Sequence, residues 1–171
     1  MSIQANNLEA TISKVSYELV SEKILDENEI NKLLGVLSSN GVYAMWVYAL
    51  DKLDLSFKEN NEKAQILEFL NKFLKLVKVI DKNFSEIDNI KNINNYKEKI
   101  SNLTKRIKND TDKERKKSLN IERNRLLRLL LEEANKYLQE ISNDLHKLLF
   151  LKQLLEKTLI YARYQAKALG D

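Results

Sequence analysis

The chain has no proline and only three glycines in 171 residues, and this scarcity constrains its fold more than any other feature. At average usage, a chain of this length carries roughly nine prolines and twelve glycines. Folds rich in β-strands need a turn every ten or so residues, and those turns are usually built from these two residue types. Long helices need neither of them. The sequence therefore predicts an all-α fold.

Apolar residues recur with the period of an α-helix along most of the chain. Residues 113–169 carry one apolar stripe that runs for longer than a globular helix usually does. We expect Ser142-Asn143-Asp144 to break this stretch into two long helices. Since 43% of the residues are apolar, the chain can bury one sizeable core. We therefore predict a single-domain helical bundle over residues 1–171, with long C-terminal helices.

Residues 42–50 are nine consecutive apolar residues, a run too short for periodicity to separate a buried strand from a buried helix. We interpret it as a helix, because it contains alanine and methionine and no second convincing strand exists to pair with it. A helix that is apolar on all sides must be covered on all sides. Tyr43, Trp46 and Tyr48 are therefore expected in the core or at a subunit interface. We predict that Trp46 is more than three-quarters buried and that its indole N–H finds a partner.

The middle of the chain is predicted to be less regular. Residues 61–80 have the pattern of a long amphipathic helix, whereas residues 81–95 are rich in asparagine and weakly apolar. We expect a loop over 81–95, then an inserted two-faced helix that ends at residues 109–112. The segment 81–112 is thus predicted to be an asparagine-rich loop and an inserted helix.

Charge is strongly segregated along the chain. Residues 1–96 carry 11 Lys and 14 Asp or Glu, a net charge of −3, whereas residues 97–171 carry 18 Lys or Arg and 11 Asp or Glu, a net charge of +7. All six arginines lie in the second part. Because the planar guanidinium group suits phosphate better than an ammonium group does, this confinement points to a nucleic-acid backbone.

A helical projection places part of this charge on one outward stripe, opposite a row of leucines. The stripe consists of Lys117, Ile121, Arg125 and Arg128. It spans about 16 Å and could meet two or three successive phosphates. We predict that its cations and Arg106 contact RNA; an ordinary solvated helix face explains the charges alone equally well. Arg123 projects onto the leucine side, so either it snorkels or this end of the helix meets a partner.

The last helix carries a second candidate surface. Arg163 lies between Tyr161 and Tyr164, and Lys167 follows one turn later. Such a surface suits base stacking and phosphate contact, so Arg163 and Lys167 are further candidate RNA contacts. The alternative is an amphipathic helix end with Lys167 near the negative end of the helix dipole.

Motifs for catalysis are missing from the sequence. It has no cysteine and one histidine, His146, which we expect to be a packed or half-exposed structural residue. Glycine-rich phosphate loops, a nucleophile elbow and helical metal-binding motifs are not found. We therefore predict no enzyme, no metal, no cofactor and no small-molecule substrate; an enzyme using carboxylates and a metal is the remote alternative.

The start lacks a signal-like apolar segment and no long apolar run exists, so we expect a cytoplasmic protein without a membrane partner.

The order of motifs resembles the small helical subunit of Cmr-type (type III-B) CRISPR effector complexes. An amphipathic opening helix precedes a leucine-rich helix, the junction Asn40-Gly41-Val42 follows, and an Ala/Tyr-rich buried helix ends in Leu50-Asp51-Lys52. A final helix then reads Tyr161-Ala162-Arg163-Tyr164-Gln165-Ala166-Lys167-Ala168. The resemblance covers residues 5–55 and 145–169. The family's usual proline near the end of the second helix is missing, and residues 81–125 look like an insertion.

This resemblance implies a non-catalytic protein whose copies stack along the complex and line a channel for guide and target RNA. Its partners would be RNA, other subunits and copies of itself. The resemblance does not assign Lys117 or Arg125 as contacts. The alternative prediction is a helical scaffold for protein interactions with no nucleic-acid role.

Overall fold

The structure is a computed structural model that describes residues 2–57, 63–81 and 83–170, with side chains from residue 7 onward. The fold is all-α, as predicted: 85% of it is helical, and the described residues form no strand. The helices are α1 Ser2–Ser21, α2 Glu27–Asn40, α3 Val42–Lys52, α4 Gln65–Ile80, α5 Asp88–Asn109, α6 Lys113–Ile141 and α7 Leu145–Leu169. A short 3-10 turn, Phe84–Glu86, precedes α5.

Local signals in the sequence set several helix ends. The N-terminus of α2 is closed by a reciprocal capping box, in which Glu29 N donates to Asp26 Oδ1 at 2.7 Å and Asp26 N donates to Glu29 Oε2 at 2.9 Å. The predicted break between α6 and α7 is confirmed, and the Asp144 carboxylate caps α7 by accepting from Lys147 N. Residues 42–50 are helical, as predicted.

Residues 1–82 and 141–171 form the first of two compact units. In this unit, α7 packs against α1, α2 and α4, so the last helix closes a bundle that begins with the first. The core contains Trp46 and Phe73, whose ring centroids are 6.3 Å apart. The bundle therefore combines helices from both ends of the sequence.

Trp46 is the largest fully buried side chain of this core, with 0% of its surface exposed. Its predicted burial is confirmed, and the chain itself provides the cover. The expectation that its indole N–H finds a partner is wrong: among the described residues no acceptor reaches Trp46 Nε1. Its ring stacks on Phe73, which offers no acceptor, and the helix uses its own backbone carbonyls internally.

Residues 83–140 form the second unit. Helices α5 and α6 are joined by residues 110–112 and run antiparallel: Asn89, near the start of α5, bonds to Glu133 of α6, and Thr104, nearer the turn, bonds to Arg123. Phe84 packs edge-on against Tyr137 with ring centroids 6.3 Å apart, and Thr104 Oγ1 accepts a hydrogen bond from Arg123 at 3.2 Å. We call this unit the hairpin. The prediction of one domain over residues 1–171 stays a prediction.

The prediction of a loop over 81–95 is wrong for most of its length, because α5 begins at Asp88. Ile90 and Ile93 are buried, and the amides of Asn89 and Asn92 donate to Glu133 Oε2 at 2.9 and 3.1 Å. These asparagines therefore serve a contact within the hairpin and do not break the helix. Hydrogen bonds from Asn92 and Lys136 hold the pKa of the Glu133 carboxyl below its usual range.

The helix predicted over 61–80 begins later, at Gln65. Residues 61 and 62 lie outside the described part of the chain. The Gln65 side chain ties this point to the rest of the first unit: its Oε1 accepts from Asp54 N at 2.9 Å, and its Nε2 donates to Ile24 O at 2.8 Å. These contacts across the sequence fix the start of α4, and helical periodicity does not report them.

Candidate nucleic-acid interface

The hairpin holds the whole net charge of the protein. Residues 83–140 carry 14 Lys or Arg and 10 Asp or Glu, a net charge of +4, whereas the first unit carries 15 of each and is neutral. Within the hairpin, residues 97–128 around the turn carry 12 Lys or Arg and 5 Asp or Glu, a net charge of +7. The sequence showed a basic half; the structure shows that this charge lies on one folded unit.

The predicted stripe on α6 is exposed along its full length. Its members are Lys117, Ile121, Arg125 and Arg128. Leu126 and Leu130, on the other side of the helix, are 8% and 0% exposed, so the outward projection is confirmed. Arg125 lies 3.6 Å from Glu122 in an exposed ion pair, which water and salt weaken. Lys117 and Arg128 have no ion-pair partner among the described residues.

Arg123 neither snorkels nor leaves the core, and both predicted alternatives for it are therefore wrong. The side chain is 7% exposed, and its guanidinium donates to Thr104 Oγ1 at 3.2 Å and to Asn120 Oδ1 at 2.7 Å. Burial lowers the pKa of this guanidinium. The bond to Thr104 fixes α6 against α5, which sets the direction in which the neighbouring stripe points.

Arg106 lies on α5, close to the turn of the hairpin. With Lys105 and Arg115 it lines an open depression of about 490 Å³. Arg115 reaches Asp110 at 3.7 Å and is thereby partly neutralised. Arg106 is exposed and has no carboxylate partner in the described part of the chain. It does not extend the α6 stripe, since it lies on a different helix.

Arg163 and Lys167 belong to the first unit, on α7. The Arg163 guanidinium lies 5.4 Å from the ring centroid of Tyr164, whose side chain is 60% exposed. Lys167 Nζ lies 3.9 Å from Glu27 Oε1. Tyr161, which suggested stacking, donates from its hydroxyl to Glu9 Oε1 at 3.0 Å. This end of α7 is therefore linked to α1 and α2; Tyr164 faces solvent, whereas Arg163 is half-buried and its Nε is inaccessible.

The predicted interface residues on α3 differ in accessibility. Trp46 is inaccessible, so its assignment to a subunit interface is wrong and the core explanation holds. Tyr43 and Tyr48 are half-buried, and the neighbouring Val47 is 46% exposed. Of the predicted interface residues, Tyr43 and Tyr48 retain surface that another molecule could touch.

His146 is exposed, so of the two expected alternatives the packed one is wrong. It lies in the first turn of α7, where Leu145 and Leu149 are themselves 63% and 50% exposed. Neighbouring leucines in the sequence therefore do not bury it. Among the described residues, no group of three or more His, Cys, Asp or Glu side chains is placed to hold a metal ion.

The first unit contains an open, acidic depression of about 690 Å³, lined by the loop between α1 and α2, by α2, by residues 54, 56 and 63, and by α4. Its lining includes Glu29 and Gln65, which are hydrogen-bonded to each other at 2.9 Å. Two lysines, Lys23 and Lys63, also line it beside the carboxylates. No histidine lines it. Within it, Ser56 N and Ser56 Oγ both donate to Asp54 Oδ1, at 2.8 and 2.6 Å, so this serine and aspartate form a local turn of the loop.

Sequence reasoning named only Arg106 from one set of exposed polar residues on α5, although most of the set lies in the segment that was predicted to be a two-faced helix. The set is Asn95, Lys99, Asn102 and Arg106. The spacing of four, three and four residues was the signal that could have found it.

Comparisons of the chain with protein-family models, with curated proteins and with solved structures give no match. No helix in the described part of the chain has the length and apolar character needed to span a membrane.

Proposed function

We propose that this protein is a non-catalytic helical assembly subunit that binds the phosphate backbone of RNA through its hairpin, without reading base sequence. The observation that carries the proposal is the concentration of the net charge of +4 in the hairpin, beside a neutral first unit. The exposed stripe on α6 presents that charge to solvent.

The stripe has the properties that a backbone contact requires. Lys117 and Arg128 are about 16 Å apart along the helix axis, which is enough to meet successive phosphates of one strand. Neither is neutralised by a carboxylate among the described residues. Contacts of this kind release counterions and position a strand, but they carry no base information.

The resemblance to the Cmr-type small subunit supplies the cellular setting of the proposal. It rests on residues 5–55 and 145–169, all of which lie in the first unit. Residues 83–125 of the hairpin belong to the stretch that looks like an insertion, and residues 126–140 follow it. We therefore assign contacts with neighbouring subunits and with copies of the chain to the first unit, and contact with guide or target RNA to the hairpin.

The test neutralises the stripe in a Lys117→Gln, Arg125→Gln, Arg128→Gln variant. Each phosphate contact contributes about 0.7 to the slope of log affinity against log salt for a single strand, so the slope should flatten by roughly two units. Helicity should persist, because Gln is nearly as good a helix former as Lys or Arg. Binding of single-stranded RNA is measured by fluorescence anisotropy over a salt series.

A matched control removes three exposed lysines of the neutral first unit: Lys14→Gln, Lys32→Gln and Lys78→Gln. Like the stripe variant, it removes three positive charges, but it should keep the parent's slope of log affinity against log salt. If the stripe variant binds RNA with the parent's affinity and slope, the stripe is only a solvated face. A scaffold without a nucleic-acid role then becomes the better explanation.

Co-purification of CRISPR effector subunits and RNA with the chain from native cells tests the proposed place of the protein in such a complex.

A further inference from the structure

We infer that the hairpin has a second backbone-binding face on α5, and that one chain holds two RNA segments at once, one on each side of the hairpin. This inference rests on the proposed function and extends it from a single contact to a bridge. It starts from a row of exposed residues on α5 that lies outside the α6 stripe.

Four residues form this second face: Asn95, Lys99, Asn102 and Arg106. All are exposed, and their spacing of four, three and four residues equals that of Lys117, Ile121, Asn124 and Arg128 on α6. The face offers ammonium, guanidinium and amide donors, which are the groups that bind phosphate and sugar oxygens. None of its four residues carries a negative charge.

The cations of this face are available to a ligand. Lys99 Nζ lies 6.0 Å from the ring centroid of Tyr96, a contact that holds the ammonium group without neutralising it. Arg106 is exposed and has no carboxylate partner among the described residues. Along the helix axis the two are about 10 Å apart, enough for two or so phosphates of one strand.

The two faces point to different sides of the hairpin. The helices meet through Thr104 on α5 and Arg123 on α6, whose side chains are hydrogen-bonded. At 100° per residue, the α5 face lies roughly 170° around its helix from Thr104, and the α6 stripe lies roughly 140° from Arg123. Each face is thus directed away from the partner helix.

This separation decides how many ligands fit. Two packed helices are about 20 Å thick, so a strand lying along one face leaves the other face free. A binding module that is basic on one side holds one backbone, whereas a hairpin that is basic on both sides can hold two. Both faces present cationic side chains, so each is predicted to bind an RNA backbone.

The experiment measures how many short RNAs one chain binds. An oligouridylate of about six nucleotides is used, since it is within the range of single-strand site sizes but is too short to follow both faces fully. Native mass spectrometry and titration calorimetry at low salt give the stoichiometry. The parent should bind two oligonucleotides per chain. A Lys99→Gln, Arg106→Gln variant should bind one, the stripe variant should also bind one, and the combined variant should bind none.

A Lys32→Gln, Lys78→Gln variant removes two charges elsewhere and should still bind two oligonucleotides, and circular dichroism verifies the helicity of every variant. One oligonucleotide per parent chain, lost in the stripe variant, would overturn the second face and leave the proposed function standing. Two per chain in both the parent and the α5 variant would also overturn it. Failure of the parent to bind RNA at all would remove the proposed function and this inference together.

Discussion

At the scale of single residues, two glycines of the first unit have opposite roles. Gly41 joins α2 to α3 with φ +91° and ψ −176°, a backbone conformation that side-chain-bearing residues rarely adopt. Gly35 lies within α2, where an added Cβ would meet nothing within 4 Å. The Asn-Gly-Val junction, noted in the sequence as a motif, therefore has a conformational reason.

We expect Gly41→Ala to lower the free energy of unfolding by about 1–3 kcal/mol, because alanine is strained at this positive φ. Gly35→Ala, the matched control, should raise it by about 0.5–1 kcal/mol, because alanine is the better helix former. Urea unfolding followed by far-UV circular dichroism measures both values. Equal effects of the two substitutions would contradict the conformational account.

Trp46 allows a second prediction at this scale. Trp46→Ala should destabilise the fold by about 3–5 kcal/mol, because it leaves a large cavity in a closed core. Trp46→Phe should cost much less, since it keeps most of the ring volume and removes an indole N–H that has no described acceptor. Urea unfolding of the two variants decides this. A Phe variant as unstable as the Ala variant would show that the indole N–H contributes to stability.

At the scale of the elements, four charges connect α1 and α4. Lys72 Nζ, on a side chain only 7% exposed, lies 2.9 Å from Glu18 Oε2 and 2.9 Å from Glu22 Oε2, and Lys75 also reaches Glu18. Burial acts to raise the pKa of Glu18, but hydrogen bonds from Lys75 and Lys72 outweigh it, so the pKa is lowered. Burial acts to lower the pKa of Lys72, but hydrogen bonds from Glu22 and Glu18 outweigh it, so the pKa is raised.

The signs of these shifts define a pH window for the α1–α4 contact. Glu18 stabilises the fold above the ordinary carboxyl pKa, and this stabilisation is lost as the pH falls through the lowered pKa of Glu18. Lys72 stabilises the fold below the ordinary amine pKa, and this stabilisation is lost as the pH rises through the raised pKa of Lys72. We expect Glu18→Gln to reduce stability at neutral pH and to make the loss of stability in acid shallower. Unfolding free energies across the acid range test this. A Glu98→Gln variant, changed at an exposed site on α5, should keep the parent's profile.

The elements also show why sequence reasoning succeeded in some places and failed in others. The break at 142–144 was predictable because Asp144 caps α7 through a contact three residues away. The start of α5 was not, because Asn89 and Asn92 bond to Glu133, more than 40 residues away along the chain. Arg123 was misjudged for the same reason: Thr104, which accepts its hydrogen bond, lies on another helix. The exposed stripe was predictable, since helical geometry alone sets it.

At the scale of the whole molecule, the chain leaves and re-enters the first unit at neighbouring points. Oδ2 of Asp81, just after α4, lies 3.3 Å from Nζ of Lys147, in the first turn of α7. The hairpin occupies the sequence between them. A short connection can therefore replace it without moving α4 or α7.

We predict that replacing residues 83–140 by a Gly/Ser linker of about eight residues, with a reach of roughly 15 Å, leaves a helical bundle with Trp46 buried. The remaining unit is neutral, so its salt-dependent RNA binding should be largely lost. Tryptophan emission and cooperative urea unfolding report the fold, and anisotropy reports binding. A bundle that unfolds without cooperativity would show that it needs the hairpin. A folded bundle with the parent's RNA affinity would place binding outside the hairpin.

The way α7 closes the bundle has a consequence for biosynthesis. Glu9 on α1 pairs with Lys157 on α7 across 148 residues of sequence. A ribosome therefore exposes α1 to α4 and then the entire hairpin before the helix that covers their apolar faces has been made. The hairpin, built from contacts nearer in sequence, can form during that interval. Until α7 emerges, the faces of α1, α2 and α4 that pack on it stay open to water, and exposed apolar surface of this kind favours aggregation.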